Sequence, residues 1–151
     1  MRKEYRRSMI GWLIALISGA LMSIQGVFNT QVTKASGVWA ANLFVQFSAF
    51  LVCLGAWFVV ERSPLKAIFQ VTPKYMLLGG VIGAFITYTV IQSMEALGPA
   101  RAVMLIVTSQ LIVAYGIELF GLFGTQKQPW EWRKAIGMLI AIVGIVVFKW
   151  K

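Results

Sequence analysis

Five apolar runs, each bounded by charge, proline or glycine, constrain this chain more than any other feature. They fall at about residues 9–32, 38–60, 75–97, 101–123 and 134–148. At 1.5 Å per residue, roughly 20 residues cross about 30 Å of hydrocarbon, and four of the runs reach that length, the fifth being the shortest. The four prolines, Pro64, Pro73, Pro99 and Pro129, all lie between runs, so no helix interior loses a backbone donor. Pro99 suits the first helical position of the fourth run, where its missing N–H is not needed. Composition agrees: 59% of residues are hydrophobic, 13% are charged, and mean hydropathy is +0.78. The expected fold is all-α, a polytopic membrane protein with five transmembrane helices forming one domain over residues 1–151.

Tryptophan prefers the headgroup level to the acyl core. Trp12, Trp39, Trp57, Trp130, Trp132 and Trp150 each fall at or just beyond the end of a run, in agreement with boundaries drawn without them. The opening "RKEYRR" followed by "MIGWLIALI" and small residues has the look of a signal peptide, but the apolar run continues well past any cleavage point, which favours a membrane span.

A formal charge of +9 and a pI near 10.1 would suggest nucleic acid in a soluble protein. Here the charges divide by side. With the N-terminus inside, Arg2, Lys3, Arg6, Arg7, Arg62, Lys66, Lys74, Lys127, Arg133 and Lys134 are cytoplasmic, against Lys34, Arg101, Lys149 and Lys151 outside. This 10 to 4 split predicts a cytoplasmic N-terminus and an external C-terminus, and interfacial anchoring accounts for the basic residues without a nucleic-acid partner. There is no histidine, and the single cysteine, Cys53, lies in the second run as a small apolar residue. Neither a metal site, a cofactor loop nor a catalytic triad has the residues it needs, so no enzyme and no cofactor is expected.

The polar residues inside the runs carry the functional reading. The first run contains Gln25 and Asn29, whose amides need partners that lipid cannot supply. Measured from a turn near Ala35 and Ser36, Gln25 and Gln46 are equidistant at roughly 16 Å, and Asn29 and Asn42 at roughly 10 Å. Both pairs, Gln25/Asn29 and Asn42/Gln46, are spaced i, i+4 and so share a face. From a second turn near Gly98 and Pro99, Tyr88 and Gln110 are matched at roughly 16 to 17 Å, with Gln92 one turn outward on the Tyr88 face. Four helices thus bring hydrogen-bonding groups to one level near the midplane, where transporters place their substrates. Packing glue is the plainer reading of the same residues. Tyr115 adds an aromatic face able to hold an organic cation. Glu118 lies one turn below Tyr115, within reach of Lys127, Arg133 and Lys134, and is the candidate for ion coupling. Gly79 and Gly83 form a GxxxG in the third run. Gly137, Ala141 and Gly144 line one face of the fifth, either packing within the chain or forming a dimer seam.

The segments "SGALMSIQGVFNTQV", "LLGGVIGAF", "ALGPARA", "SQLIVAYGIELFGLFG" and "RKAIGMLIAIVGIVV" resemble, in order, the successive parts of the YdcZ-type family of bacterial inner-membrane proteins in the drug/metabolite transporter superfamily. Gln25, Asn29, Gln110 and the Gly137/Gly144 pair match. The family pattern would have a glycine before Gln110 and an aspartate at Glu118, where this chain has Ser109 and glutamate. The resemblance implies a half-transporter: five helices forming one inverted repeat, completed by an oppositely oriented five-helix subunit as a homo- or heterodimer, with a parallel dimer as the alternative. The expected activity is secondary-active transport or export of a small polar metabolite. The alternatives are a non-transporting membrane subunit and efflux of organic cations.

Overall fold

The computed structural model describes residues 2–149. Five α-helices carry the chain: α1 Arg2–Ser36, α2 Val38–Ala56, α3 Gly79–Leu97, α4 Pro99–Phe120 and α5 Trp132–Lys149. No strand occurs among the described residues, and the expected all-α membrane architecture holds. Four helical spans, Tyr5–Ser36, Val38–Glu61, Lys74–Leu97 and Pro99–Phe120, are long and apolar enough to cross a bilayer. In α5 the uncharged stretch 135–148 rises only roughly 21 Å, less than a full hydrocarbon thickness. The chain forms two compact units, the first ending at Ala96 and the second opening at Leu97.

The boundaries depart from the apolar runs where local chemistry outweighs hydropathy. Helix α1 runs 35 residues, well past both ends of 9–32. Its first turns contain Arg and Glu, good helix formers that continue the ladder outside the apolar region. Trp12 therefore sits within a helix rather than at its end. Helix α4 opens with Pro99 at its first turn as expected, but stops at Phe120, short of residue 123. Gly121 ends it in the left-handed conformation at φ 66°, its N–H returning to the Ile117 carbonyl. The apolar Leu122 and Phe123 hid that stop. Beyond α2, a π-helical turn at Trp57–Glu61 closes on Arg62, and the following connection holds a 3-10 helix at Leu65–Gln70. Trp150 and Lys151 lie outside the described residues.

Two glycines make the sharp breaks. Gly37, between α1 and α2, has φ 82° and ψ 157°; Gly98, before α4, has φ 79° and ψ 157°. That region of backbone space is essentially closed to residues with a Cβ. Four residues beyond each, Ala41 and Ala102 donate their N–H to the glycine carbonyl at 3.1 Å, and both alanines are fully buried.

Lipid does not drive apolar side chains inward, so close packing and interhelical hydrogen bonds must hold such a fold together. The burial pattern reflects this. Among the described residues, buried side chains include Asn29, Thr30, Thr33 and Asn42 beside Ala41, Ile91, Met94, Ala102 and Tyr115, while Leu, Ile and Phe side chains along every long helix face outward.

Candidate functional site

In the first unit, α1 turns a polar stripe toward its neighbours. Gly26, Asn29, Thr30 and Thr33 are its buried residues, at the i, i+3, i+4, i+7 spacing of one helix face. Leu21, Ile24 and Phe28 are exposed around the rest of the helix. Helix α3 approaches closely at Gly26, where an added Cβ would lie 2.7 Å from the Met94 sulfur and 3.4 Å from Val90 Cγ1.

The stripe is only partly satisfied. Thr30 Oγ1 donates to the Gly26 carbonyl at 2.8 Å. Thr33 Oγ1 is buried with no hydrogen-bond partner among the described residues, and the Asn29 carboxamide, 8% exposed, makes no side-chain hydrogen bond there either. Gln25 sits differently from its i+4 partner: it is exposed, on an open surface shared with Leu21, Met22, Ile24, Phe28 and Asn29. At about 100° per residue, Gln25 lies roughly 90° from the centre of the buried stripe.

The amides of α2 are engaged. Asn42 Nδ2 donates to the Ala84 carbonyl of α3 at 2.9 Å. Gln46 Nε2 donates to Asn42 Oδ1 at 3.4 Å and to Thr87 Oγ1 at 3.3 Å, and Thr87 in turn donates to the Gly83 carbonyl at 3.1 Å. A continuous chain of hydrogen bonds thus ties α2 to α3, its ends on two backbone carbonyls. Beside it, the Tyr88 ring stacks on Trp39 with centroids 4.9 Å apart and planes 17° from parallel. Gln92 is exposed one turn further along α3.

In the second unit, Gln110 is exposed on α4 and Tyr115 is buried. The Tyr115 hydroxyl accepts from the Glu131 backbone N–H at 3.0 Å, and its ring lies 5.9 Å from Trp130. Glu118 pairs with Lys134 at 3.6 Å, and Lys134 also reaches Glu131 at 3.2 Å and stands 5.5 Å from the Tyr115 ring centre. Of the three cations within sequence reach of Glu118, Lys134 pairs with it among the described residues. All of these charges are about half exposed, so each bond is weak and salt-sensitive. Tyr115, Glu118 and Lys134 line one end of a groove of about 360 Å³ between α4 and α5, whose walls are Leu111, Ala114, Gly137 and Met138.

The glycine motifs fall in open space. An added Cβ at Gly79, Gly83, Gly137 or Gly144 would meet no described atom within 4 Å, and Ala141 is half-buried. Within this chain the close helix approach is made at Gly26. Thr33, Thr87 and Gly26 are the residues that the polar-amide search passed over. Thr33 is one turn from Asn29 on the same face, a spacing that was available to find it; Thr87 carried no such signal, because threonine hydroxyls in membrane helices commonly bond to their own backbone.

A family model described as "Putative inner membrane exporter, YdcZ" matches residues 10–147. No curated protein and no solved structure matches the chain. The matched region takes in all four helical spans almost entirely, the polar stripe of α1, the α2–α3 amide network and most of α5, and on that extent the chain belongs to the YdcZ family of inner-membrane proteins.

Proposed function

We propose that this multi-pass inner-membrane protein is one half of a secondary-active exporter of a small polar solute. The observation that carries the reading is the unsatisfied polar stripe of α1. A membrane helix that turns Asn29 and Thr33 inward without partners, and its leucines and phenylalanines outward, has the side chains of a hydrogen-bonding pocket. Gln25, Asn29, Asn42, Gln46, Tyr88 and Gln92 are its candidate lining residues in the first unit; Gln110 and Tyr115 are candidate solute-binding residues of the second, considered by itself. Gln25, exposed on this chain, faces the complementary half. That half is a second five-helix subunit of opposite orientation, docked along Gly137, Ala141 and Gly144, where open space surrounds each glycine. The N-terminus is cytoplasmic and the C-terminus external. Glu118, paired with Lys134 at the end of α4, is the candidate for ion coupling.

One observation favours a second reading, that of a non-transporting subunit: Asn42 and Gln46 are bonded within the chain as adhesive amides would be. Thermal-shift screening of the purified protein against metabolites and organic cations separates the two. A transporter gains stability with a bound solute, and Gln25→Ala removes that gain while leaving the solute-free melting temperature in place. Loss of assembly in Gln25→Ala with no solute effect in either protein contradicts export. Orientation is tested by fusing a cytoplasm-only fluorescent reporter and a periplasm-only phosphatase to the C-terminus; strong activity from both contradicts a single topology.

A further inference from the structure

Resting on the export reading, we infer that Asn29 and Thr33 form the head-group subsite, and that the solute it holds is uncharged and carries hydroxyl or amide groups. Both side chains are more than nine-tenths buried, stand one helical turn apart on the same face of α1, and find no partner among the described residues. A carboxamide and a hydroxyl both donate and accept, so the group they suit is one that does the same. A solute hydroxyl meets that requirement, as does water. Away from water an unbonded hydroxyl or amide carries a desolvation penalty, largest for the fully enclosed Thr33 Oγ1; Thr30, their neighbour on the stripe, avoids this by bonding to the Gly26 carbonyl.

The charge of the guest follows from what surrounds it. Residues 8–33, 35–60 and 75–94, which supply the membrane-embedded parts of α1, α2 and α3, contain no Asp, Glu, Lys or Arg. The polar side chains that meet within those stretches, Asn29, Thr33, Asn42, Gln46 and Thr87, are neutral, and Lys34, next to Thr33, is exposed and donates to Gln31 Oε1 at 3.3 Å. An ion held against Asn29, about 10 Å below the turn, would be stripped of water with no countercharge on the buried face of α1, a penalty larger than a few neutral hydrogen bonds return. A neutral polyol or amide incurs no such penalty.

The test uses the full chain in proteoliposomes, with solute entry followed by light scattering after an osmotic step. The probes are glycerol and xylitol as uncharged solutes, and sodium gluconate and tetraethylammonium chloride as charged ones. Glycerol or xylitol enters faster than into protein-free vesicles, the two salts do not, and Thr33→Val slows entry about fivefold, the size of one neutral hydrogen bond, while Thr33→Ser retains it. Valine matches threonine in shape, so the variant keeps its fold. Entry of the uncharged solutes at an unchanged rate in Thr33→Val overturns the subsite and identifies its guest as structural water, leaving export intact. Entry of the salts alone overturns the inferred solute class, also leaving export intact. No entry of any probe above protein-free vesicles overturns the subsite and the export reading together.

Discussion

Two amide pairs with the same spacing have opposite fates in this molecule. On α2, Asn42 and Gln46 are tied to the Ala84 carbonyl and the Thr87 hydroxyl of α3. On α1, Gln25 is exposed and Asn29 is buried without a side-chain partner. The difference separates two roles that composition cannot distinguish. An amide that closes its hydrogen bonds inside the chain holds helices together, and one that leaves them open can hold something else. In a bilayer the second arrangement is costly enough that it calls for a guest or a partner.

The largest effect is expected at the two glycine corners, Gly37 before α2 and Gly98 before α4. Gly37→Ala places a Cβ on a backbone at φ 82° and ψ 157°, costing about 1–3 kcal/mol, and Gly98→Ala behaves alike; denaturant titration in mixed micelles measures both. A neutral substitution at either glycine would show that its corner does not depend on that backbone conformation. Next comes the closed pair. Asn42→Ala removes the bond to Ala84 and frees Gln46, lowering stability by about 1–2 kcal/mol, whereas Gln46→Ala loses about 0.6 kcal/mol.

For the open pair the expected change is small and has the other sign. Thr33→Val removes an unpartnered hydroxyl and raises the solute-free melting temperature slightly, by up to about 1 kcal/mol in stability. Gln25→Leu stays within about 0.5 kcal/mol of the parent, as for an exposed residue without partners. A loss at Gln25 as large as that at Asn42 would erase the distinction between the pairs. The smallest effect belongs to Glu118→Gln, which breaks a half-exposed pair with Lys134 and lowers stability only slightly, less so with added salt.

The contrast also shows what hydropathy and spacing can reveal. The spans were legible, since Pro99 and the apolar runs locate them without tertiary information. Azimuth was not. An i, i+4 pair is rotated by roughly 40°, enough for Asn29 to be buried and Gln25 to stand outside the same stripe. The common face read from spacing therefore covers two environments. The hydroxyls were illegible for a different reason: Thr87 becomes a partner only because α3 meets α2 at Gln46, a fact of packing rather than of local sequence. Similarly, Gly26 forms a close contact because Met94 lies against it, whereas the more conspicuous Gly79 and Gly83 face open space.

The most direct measurement compares neighbours at the same depth. Phe28 is 65% exposed on the outward face and Asn29 is 8% exposed on the inward one. In a background carrying Cys53→Ala, Phe28→Cys and Asn29→Cys are treated in intact membranes with a water-soluble methanethiosulfonate, which reacts with the thiolate that forms only in water. Asn29→Cys reacts faster despite its burial, because its face is wet and that of Phe28 is lipid. Equal rates, or faster reaction at Phe28→Cys, would contradict the account.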